Sequence, residues 1–269
     1  STMNAWETGQ WTISNTPTPM TATLITLAIM LKLGLAPVHA WYPEVLQGGT
    51  MTTALIISTW QKLAPLALLY LMNNQLPLTI ALTLGLTSAL VGGWMGLNQT
   101  QTRKILAFSS IAHMGWMITA LALNPNLALL TLTIYITMTT TIFMSFNITT
   151  AKTLTDMGIT WTQSPTLTAL TVLTLMSLGG LPPLAGFMPK WLILNELCIL
   201  KLIPLATAIA LASLPSLYFY IRMTYMIMLT TPPHTINTEY KWRYALPLNS
   251  ALPPMMMLAT MLLPMTPTM

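Results

Sequence analysis

Apolar residues run along this chain in eight long stretches, near 20–46, 51–72, 76–97, 104–123, 127–150, 166–200, 202–229 and 250–268. A helix needs roughly 20 such residues to cross a bilayer. Short polar breaks divide the runs at Asn73-Asn74, Asn98-Gln99 and Asn124-Pro125-Asn126, and longer ones lie at 151–165 and 230–249. Lipid offers no partners to backbone N–H and C=O groups, so the runs are expected as helices rather than open strands. The first and sixth runs are too long, and too interrupted by Gly and Pro, to be single straight helices. The pattern predicts an all-α fold: one polytopic transmembrane helical bundle over 1–269, with two broken helices.

Composition strengthens that reading. The chain is 54% hydrophobic and only 6% charged, where soluble domains carry about a quarter charged residues. So few charges cannot cover a water-facing surface. The net charge is +5, but the largest basic cluster is the pair Arg103-Lys104, too small for a nucleic-acid-binding face. The basic residues instead fit a positive-inside bias. Alternating the eight spans puts the loops near 98–103, 151–165 and 230–249 on one side, with Arg103, Lys104, Lys152, Lys241 and Arg243. The other side has Lys201 alone, next to Glu196. The basic side is expected to be the inner side of the membrane, with the C-terminus on the opposite side.

Some chemistries drop out. Cys198 is the sole cysteine, so neither an intrachain disulfide nor a shared cysteine metal site is expected. Gly92-Gly93-Trp94-Met95-Gly96 lacks the preceding strand and later acid of a nucleotide fingerprint and reads as helix packing or a helix end. The chain starts at Ser1 with no targeting pattern and is expected to be truncated at its N-terminus.

The sequence also repeats itself. Gly34-Leu35-Ala36-Pro37-Val38-His39-Ala40-Trp41-Tyr42-Pro43-Glu44 matches Gly180-Leu181-Pro182-Pro183-Leu184-Ala185-Gly186-Phe187-Met188-Pro189-Lys190. Gly-Leu, a Pro three residues after the Gly, an aromatic, and a second Pro followed by a charge recur at the same offsets. An odd number of spans separates the copies, so they are expected to be inverted. Gly34, Pro37, Pro43, Gly180, Pro183 and Pro189 thus mark two helix breaks at matching places in inverted halves. That is a sequence mark of a transporter's ion path.

Three lysines fall in or beside the runs. A charge at the centre of a membrane helix costs about 2.5–3.5 kcal/mol. Lys62 lies mid-span in Thr59-Trp60-Gln61-Lys62-Leu63-Ala64-Pro65, Lys32 precedes the first break and Lys190 follows the second. Snorkelling to the interface would accommodate Lys32 and Lys190, but hardly Lys62. A buried amine is poorly solvated when charged, so small movements of a carboxylate or of water can switch it between holding and releasing a proton. Glu44 is the only acid near the first break. His113 sits mid-span in Ser109-Ser110-Ile111-Ala112-His113-Met114-Gly115-Trp116, as a proton relay or a hydrogen-bonded interior group. His39, in the first break, is a second relay candidate. Arg222 and Glu196 are expected to anchor helix ends.

Four stretches carry a resemblance: 32–44, 59–65, Gly96 to Trp116, and Gly179-Gly180-Leu181-Pro182-Pro183-Leu184-Ala185-Gly186-Phe187-Met188-Pro189-Lys190-Trp191. Together they resemble the chain 2 family of mitochondrial NADH–ubiquinone oxidoreductase, the antiporter-like membrane subunits of respiratory complex I. The resemblance covers the whole chain. It implies a vertebrate-like, mitochondrially encoded inner-membrane protein, in keeping with the 22 Met. It also implies that the first quarter of the family's length is absent, with about three helices and the family's pumping glutamate. Matched by position, Lys32 is the broken-helix lysine, Lys62 the middle lysine and Lys190 the exit-side lysine. The implied activity is proton translocation coupled to NADH oxidation by ubiquinone. No redox centre or cofactor is expected in this chain, since NAD, FMN, iron–sulfur clusters and ubiquinone belong to other subunits. The implied partners are the other membrane-arm subunits and the lipid bilayer, with no nucleic acid. A stand-alone cation/proton antiporter of the same fold is the alternative. A sodium site there should show clustered intramembrane carboxylates, and this sequence has none.

Overall fold

The computed structural model describes residues 19–229 and 250–265, together with Ala5, Trp6 and Gly9. The loop expected at 230–249, with His234, Lys241 and Arg243, and the last residues of the final run lie outside the described residues. Twelve helices occur among the described residues of the bundle: α1 (Pro19–Leu33), α2 (Trp41–Gly48), α3 (Met51–Ser58), α4 (Trp60–Leu71), α5 (Leu78–Gly96), α6 (Thr102–Leu123), α7 (Pro125–Thr149), α8 (Leu154–Gln163), α9 (Pro165–Gly179), α10 (Phe187–Ile199), α11 (Ile203–Leu229) and α12 (Leu252–Met265). Among the described residues, five stretches are long and apolar enough to span a membrane: Met51–Leu71, Leu78–Gly96, Thr102–Leu123, Pro125–Thr149 and Ile203–Leu229.

The two interrupted helices are α1–α2 and α9–α10, and their breaks share one backbone design. Both first halves are 15 residues long and start at a Pro, where a missing N–H is harmless. Both end in a left-handed glycine, Gly34 at φ +77° and Gly180 at φ +82°, a conformation that costs L-residues with a Cβ about 1–2 kcal/mol. Around the first, Gly34 N–H bonds Leu31 O (3.1 Å) and Leu35 N–H bonds Met30 O (3.2 Å). Around the second, Gly180 N–H bonds Ser177 O (2.9 Å) and Leu181 N–H bonds Met176 O (3.4 Å). These are paired Schellman caps, which end a helix by satisfying its last carbonyls. Pro37 and Pro183 lie in the connecting turns, whereas Pro43 and Pro189 sit in the first turns of α2 and α10, where proline is tolerated.

The two broken helices run in opposite senses through the core. One buried cluster gathers Tyr42, Leu46, Phe108, Phe146, Leu178 and Tyr220, and a second gathers Met30, Leu33, Leu69, Trp116, Leu121 and Leu197. The chain passes from the second cluster to the first along α1–α2 and from the first to the second along α9–α10. Helix α6 joins both clusters and packs against α2, α5, α7, α10 and α11. It is the most enclosed span, with 89% of its apolar window buried, against half or less in the others. On the surface of the bundle, large apolar side chains such as Leu27, Leu31, Trp60, Leu71 and Trp94 are exposed, as lipid or a protein neighbour requires.

The Gly92–Gly96 stretch is helix packing. A Cβ on Gly92 would meet the Ala112 N of α6 at 2.6 Å, and one on Gly115 would meet the Gly85 O of α5 at 2.6 Å. At the end of the bundle where α5 meets α6, the loops near 98–103 and 151–153 are tied together. Thr102 N–H bonds Lys152 O and Leu154 N–H bonds Thr100 O, each at 3.1 Å. Arg103 donates to Gln47 O (3.0 Å) and to Gly49 O beside the end of α2, and Arg222 donates to Leu97 O (2.6 Å) just past α5. Cations at helix C-termini complement the negative end of the dipole.

Candidate functional site

Lys62 is 3% exposed, on a helix with a third interruption that the apolar pattern does not display. The chain turns at Thr59 (φ −114°, ψ −67°) between α3 and α4. Lys62 N–H reaches back only to Thr59 O, at 3.3 Å. The Ser58 carbonyl accepts from the Tyr135 hydroxyl of α7 instead (3.2 Å). Pro65 follows in the next turn and removes another backbone donor. The Lys62 amine donates to Tyr135 Oη at 3.0 Å. It also lies 5.0 Å from the centroid of the Tyr42 ring and 4.9 Å from that of Tyr135. Within about 6 Å, aromatic faces attract a cation. Among the described residues no carboxylate pairs with Lys62, so hydroxyl and rings take the place of a counter-ion.

Beyond Tyr135 comes His113, on α6. The two rings are 5.8 Å apart, and His113 Nε2 shares a hydrogen bond with Tyr220 Oη of α11 at 3.3 Å. A cavity of about 30 Å³ opens beside them, lined by His113, Tyr135, Trp116, Gly186, Pro189 and Lys190 among others. One water needs roughly 10–15 Å³ measured this way, so there is room for two. Lys190 enters from α10 and donates to Gly179 O at 2.9 Å, with its amine 5.9 Å from the Trp116 ring. It therefore grips the carbonyl end of α9 at the second break, where the helix dipole is negative.

On the opposite side of Lys62 a cleft of about 390 Å³ is lined by Lys32, Trp41, Tyr42, Trp60, Gln61 and Lys62. Lys32 itself is exposed. The structure thus brings His113, Tyr135 and Lys190 around one small cavity, ties Lys62 to Tyr135 by a hydrogen bond, and places Lys32 and Lys62 on one cleft. The His39 ring pairs with the nearby Pro37 O (3.2 Å) and lines neither the cavity nor the cleft, and Glu44 is exposed. Reading the sequence for charges and histidines missed Tyr42, Tyr135, Tyr220 and Trp116. The one available signal was an aromatic with a polar tip, hydroxyl or indole N–H, within an apolar run, which usually marks core packing.

Chemically, the group is a row of side chains that can each accept and release a proton, connected by hydroxyls and by space for water, and enclosed by apolar helices.

A helical bundle with two inverted broken helices and a buried lysine between them defines an antiporter-like membrane protein. Residues 3–215 match the family described as NADH:quinone oxidoreductase/Mrp antiporter, transmembrane region, and residues 217–269 match NADH dehydrogenase subunit 2, C-terminus. NADH-ubiquinone oxidoreductase chain 2 of Xenopus laevis is 54% identical over 241 residues, covering 90% of this chain and 70% of the relative. That of Polypterus ornatipinnis is 51% identical over 268 residues, covering 100% and 77%. Among solved structures, a chain of respiratory complex I from Thermus thermophilus superposes with TM-score 0.73 at 27% identity, covering 81% of this chain and 51% of that one. A chain of the Mrp complex from Dietzia shares the fold, with TM-score 0.72 at 18% identity over 79% of this chain and 42% of that one. The chain belongs to the NADH–ubiquinone oxidoreductase chain 2 family.

Proposed function

We propose that this chain is a proton-translocating core membrane subunit of respiratory complex I. It couples the oxidation of NADH by ubiquinone, carried out elsewhere in the complex, to proton movement across the mitochondrial inner membrane. The observation that carries the reading is Lys62: buried, without a carboxylate among the described residues, and hydrogen-bonded to Tyr135 on the way to His113 and Lys190. A charge held in so apolar a place is expensive, and a scaffold gains nothing from it. In this reading Lys32 exchanges protons with Lys62 across the cleft, and Lys62 with His113 and Lys190. The two breaks supply helix ends whose dipoles respond to charge. NAD, FMN, iron–sulfur clusters and ubiquinone are held by other subunits. The partners are the other membrane-arm subunits and lipid, with no nucleic acid. Chain 2 relatives at about half identity support this over a stand-alone cation/proton antiporter.

The tied loops near 98–103 and 151–153 face the matrix in this reading, and the C-terminus faces the intermembrane space. The experiment exchanges Lys62 or Lys190 for Met, one at a time, in the assembled complex reconstituted in sealed vesicles. Proton uptake driven by NADH oxidation should collapse for each variant. Wild-type uptake in both contradicts the reading. Single cysteines in the 151–165 segment, expected as a loop but formed mostly by helix α8, should resist an impermeant thiol reagent until the inner membrane is opened, and labelling in intact mitoplasts reverses the orientation.

A further inference from the structure

We infer that Tyr135 is the proton gate between the Lys32–Lys62 cleft and the His113–Lys190 cavity. This rests on the function proposed above and adds a residue to it. Three observations carry it. First, Tyr135 Oη accepts from Lys62 Nζ at 3.0 Å, so hydroxyl and amine are already in proton-transfer contact. Second, the same residue lines the far cavity beside His113, with the two rings 5.8 Å apart. Lys62 lines the near cleft and does not line the far cavity. Third, the hydroxyl's own proton is parked on Ser58 O at 3.2 Å, a carbonyl free to accept it because the chain turns at Thr59. A continuous helix would direct that carbonyl to the N–H four residues on.

The arrangement gives the hydroxyl two positions. Parked on Ser58 O, its proton points away from the cavity and transfer stops. Rotated about the C–O bond, the proton points toward cavity water near His113. In the transfer step, Tyr135 Oη takes a proton from Lys62 Nζ while giving its own to that water or to His113. One N–H and one O–H bond break, and one new O–H bond forms on tyrosine and one bond to hydrogen on the acceptor. Lys62 ends neutral, Tyr135 is unchanged, and one positive charge has crossed. No oxidant or reductant is involved. The ring is held in place by its contacts with the Lys62 amine and His113, so only the hydroxyl needs to move.

The test compares Tyr135→Phe, Tyr135→His and Lys62→Met in the assembled complex in sealed vesicles, with proton uptake expressed per assembled complex. Phe keeps the ring and removes the carrier, and its uptake should fall about a hundredfold or more, the range for loss of a proton-transfer group. His returns a proton-carrying ring and should restore part of that loss. A merely structural tyrosine makes Phe and His equally poor, which overturns the gate. Wild-type uptake in Phe beside a collapse in Lys62→Met also overturns it, and leaves the proposed function standing. Wild-type uptake in both Phe and Lys62→Met removes the function and the gate together.

Discussion

The break at 34–40 and the break at 180–186 share their backbone and differ in what surrounds it. Each ends a helix in a left-handed glycine with the same pair of capping hydrogen bonds. In the second, Lys190 holds the Gly179 carbonyl, and the turn ends in the buried pair Ala185-Gly186, with Gly186 pressed against the Ser177 carbonyl of α9. In the first, the repeat position of Lys190 is Glu44, which is exposed, and Lys32 sits before the glycine on an exposed face. A duplicated fold thus supplies two identical helix ends, and the side chains give each a separate task. The second break belongs to the enclosed cavity with His113, and the first opens on the cleft that leads to Lys62.

The largest expected effect separates the two breaks at one position. A Cβ on Gly186 would lie 1.8 Å from Ser177 O, whereas its repeat mate is already Ala40 and exposed. Gly186→Ala should destabilise by about 3 kcal/mol or more, the upper range for overpacking, and cut the amount of assembled complex on native gels. Ala40→Gly should leave it near wild type. Equal yields would remove the claimed asymmetry.

Next come the glycines that end the first halves. Gly34→Ala should cost about 1–2 kcal/mol from the left-handed backbone, with a smaller addition because its Cβ would press on the buried Tyr42 side chain at 3.3 Å. Gly180→Ala carries the same backbone cost, and its Cβ would also meet the Lys190 amine at 2.9 Å. It should therefore lower proton uptake per assembled complex, while Gly34→Ala lowers yield only. Thermal melts and vesicle uptake on the same samples separate the two.

The smallest effect lies away from both breaks, at the start of α8. Thr153 and Asp156 form a capping box, and Thr153→Ala should cost about 1 kcal/mol. The Thr153 N–H, then its hydroxyl, hold the Asp156 carboxyl below its ordinary range. A depressed carboxylate stabilises the folded state above its unfolded value, near 4, and that stability is lost as pH falls through the folded value. Protection of the amides at the start of α8, taken relative to their intrinsic exchange rates at each pH, should fall on acidification in this window, and not in Asp156→Asn.

The breaks were legible because a repeat leaves matched Gly and Pro in sequence, and those residues have few other uses in a membrane helix. Lys62, Lys190 and His113 were legible because a polar group in lipid demands a reason. The interruption at Thr59 was not legible: Thr occurs throughout these helices, and Pro65 points to a kink without saying where the chain turns. Tyr135 was hidden for a related reason. Its ring satisfies the apolar pattern of α7 fully, and only the amine and carbonyl from α3 and α4, far off in sequence, give its hydroxyl polar partners.

The central claim is that protons cross through Lys62. The direct measurement is the number of protons taken up per NADH oxidised, in sealed vesicles bearing assembled complex with Lys62→Met or Lys62→Arg. Methionine carries no proton, and arginine stays charged and does not release one. Both ratios should fall well below wild type with assembly retained. A wild-type ratio in assembled Lys62→Met would show that the protons take another path.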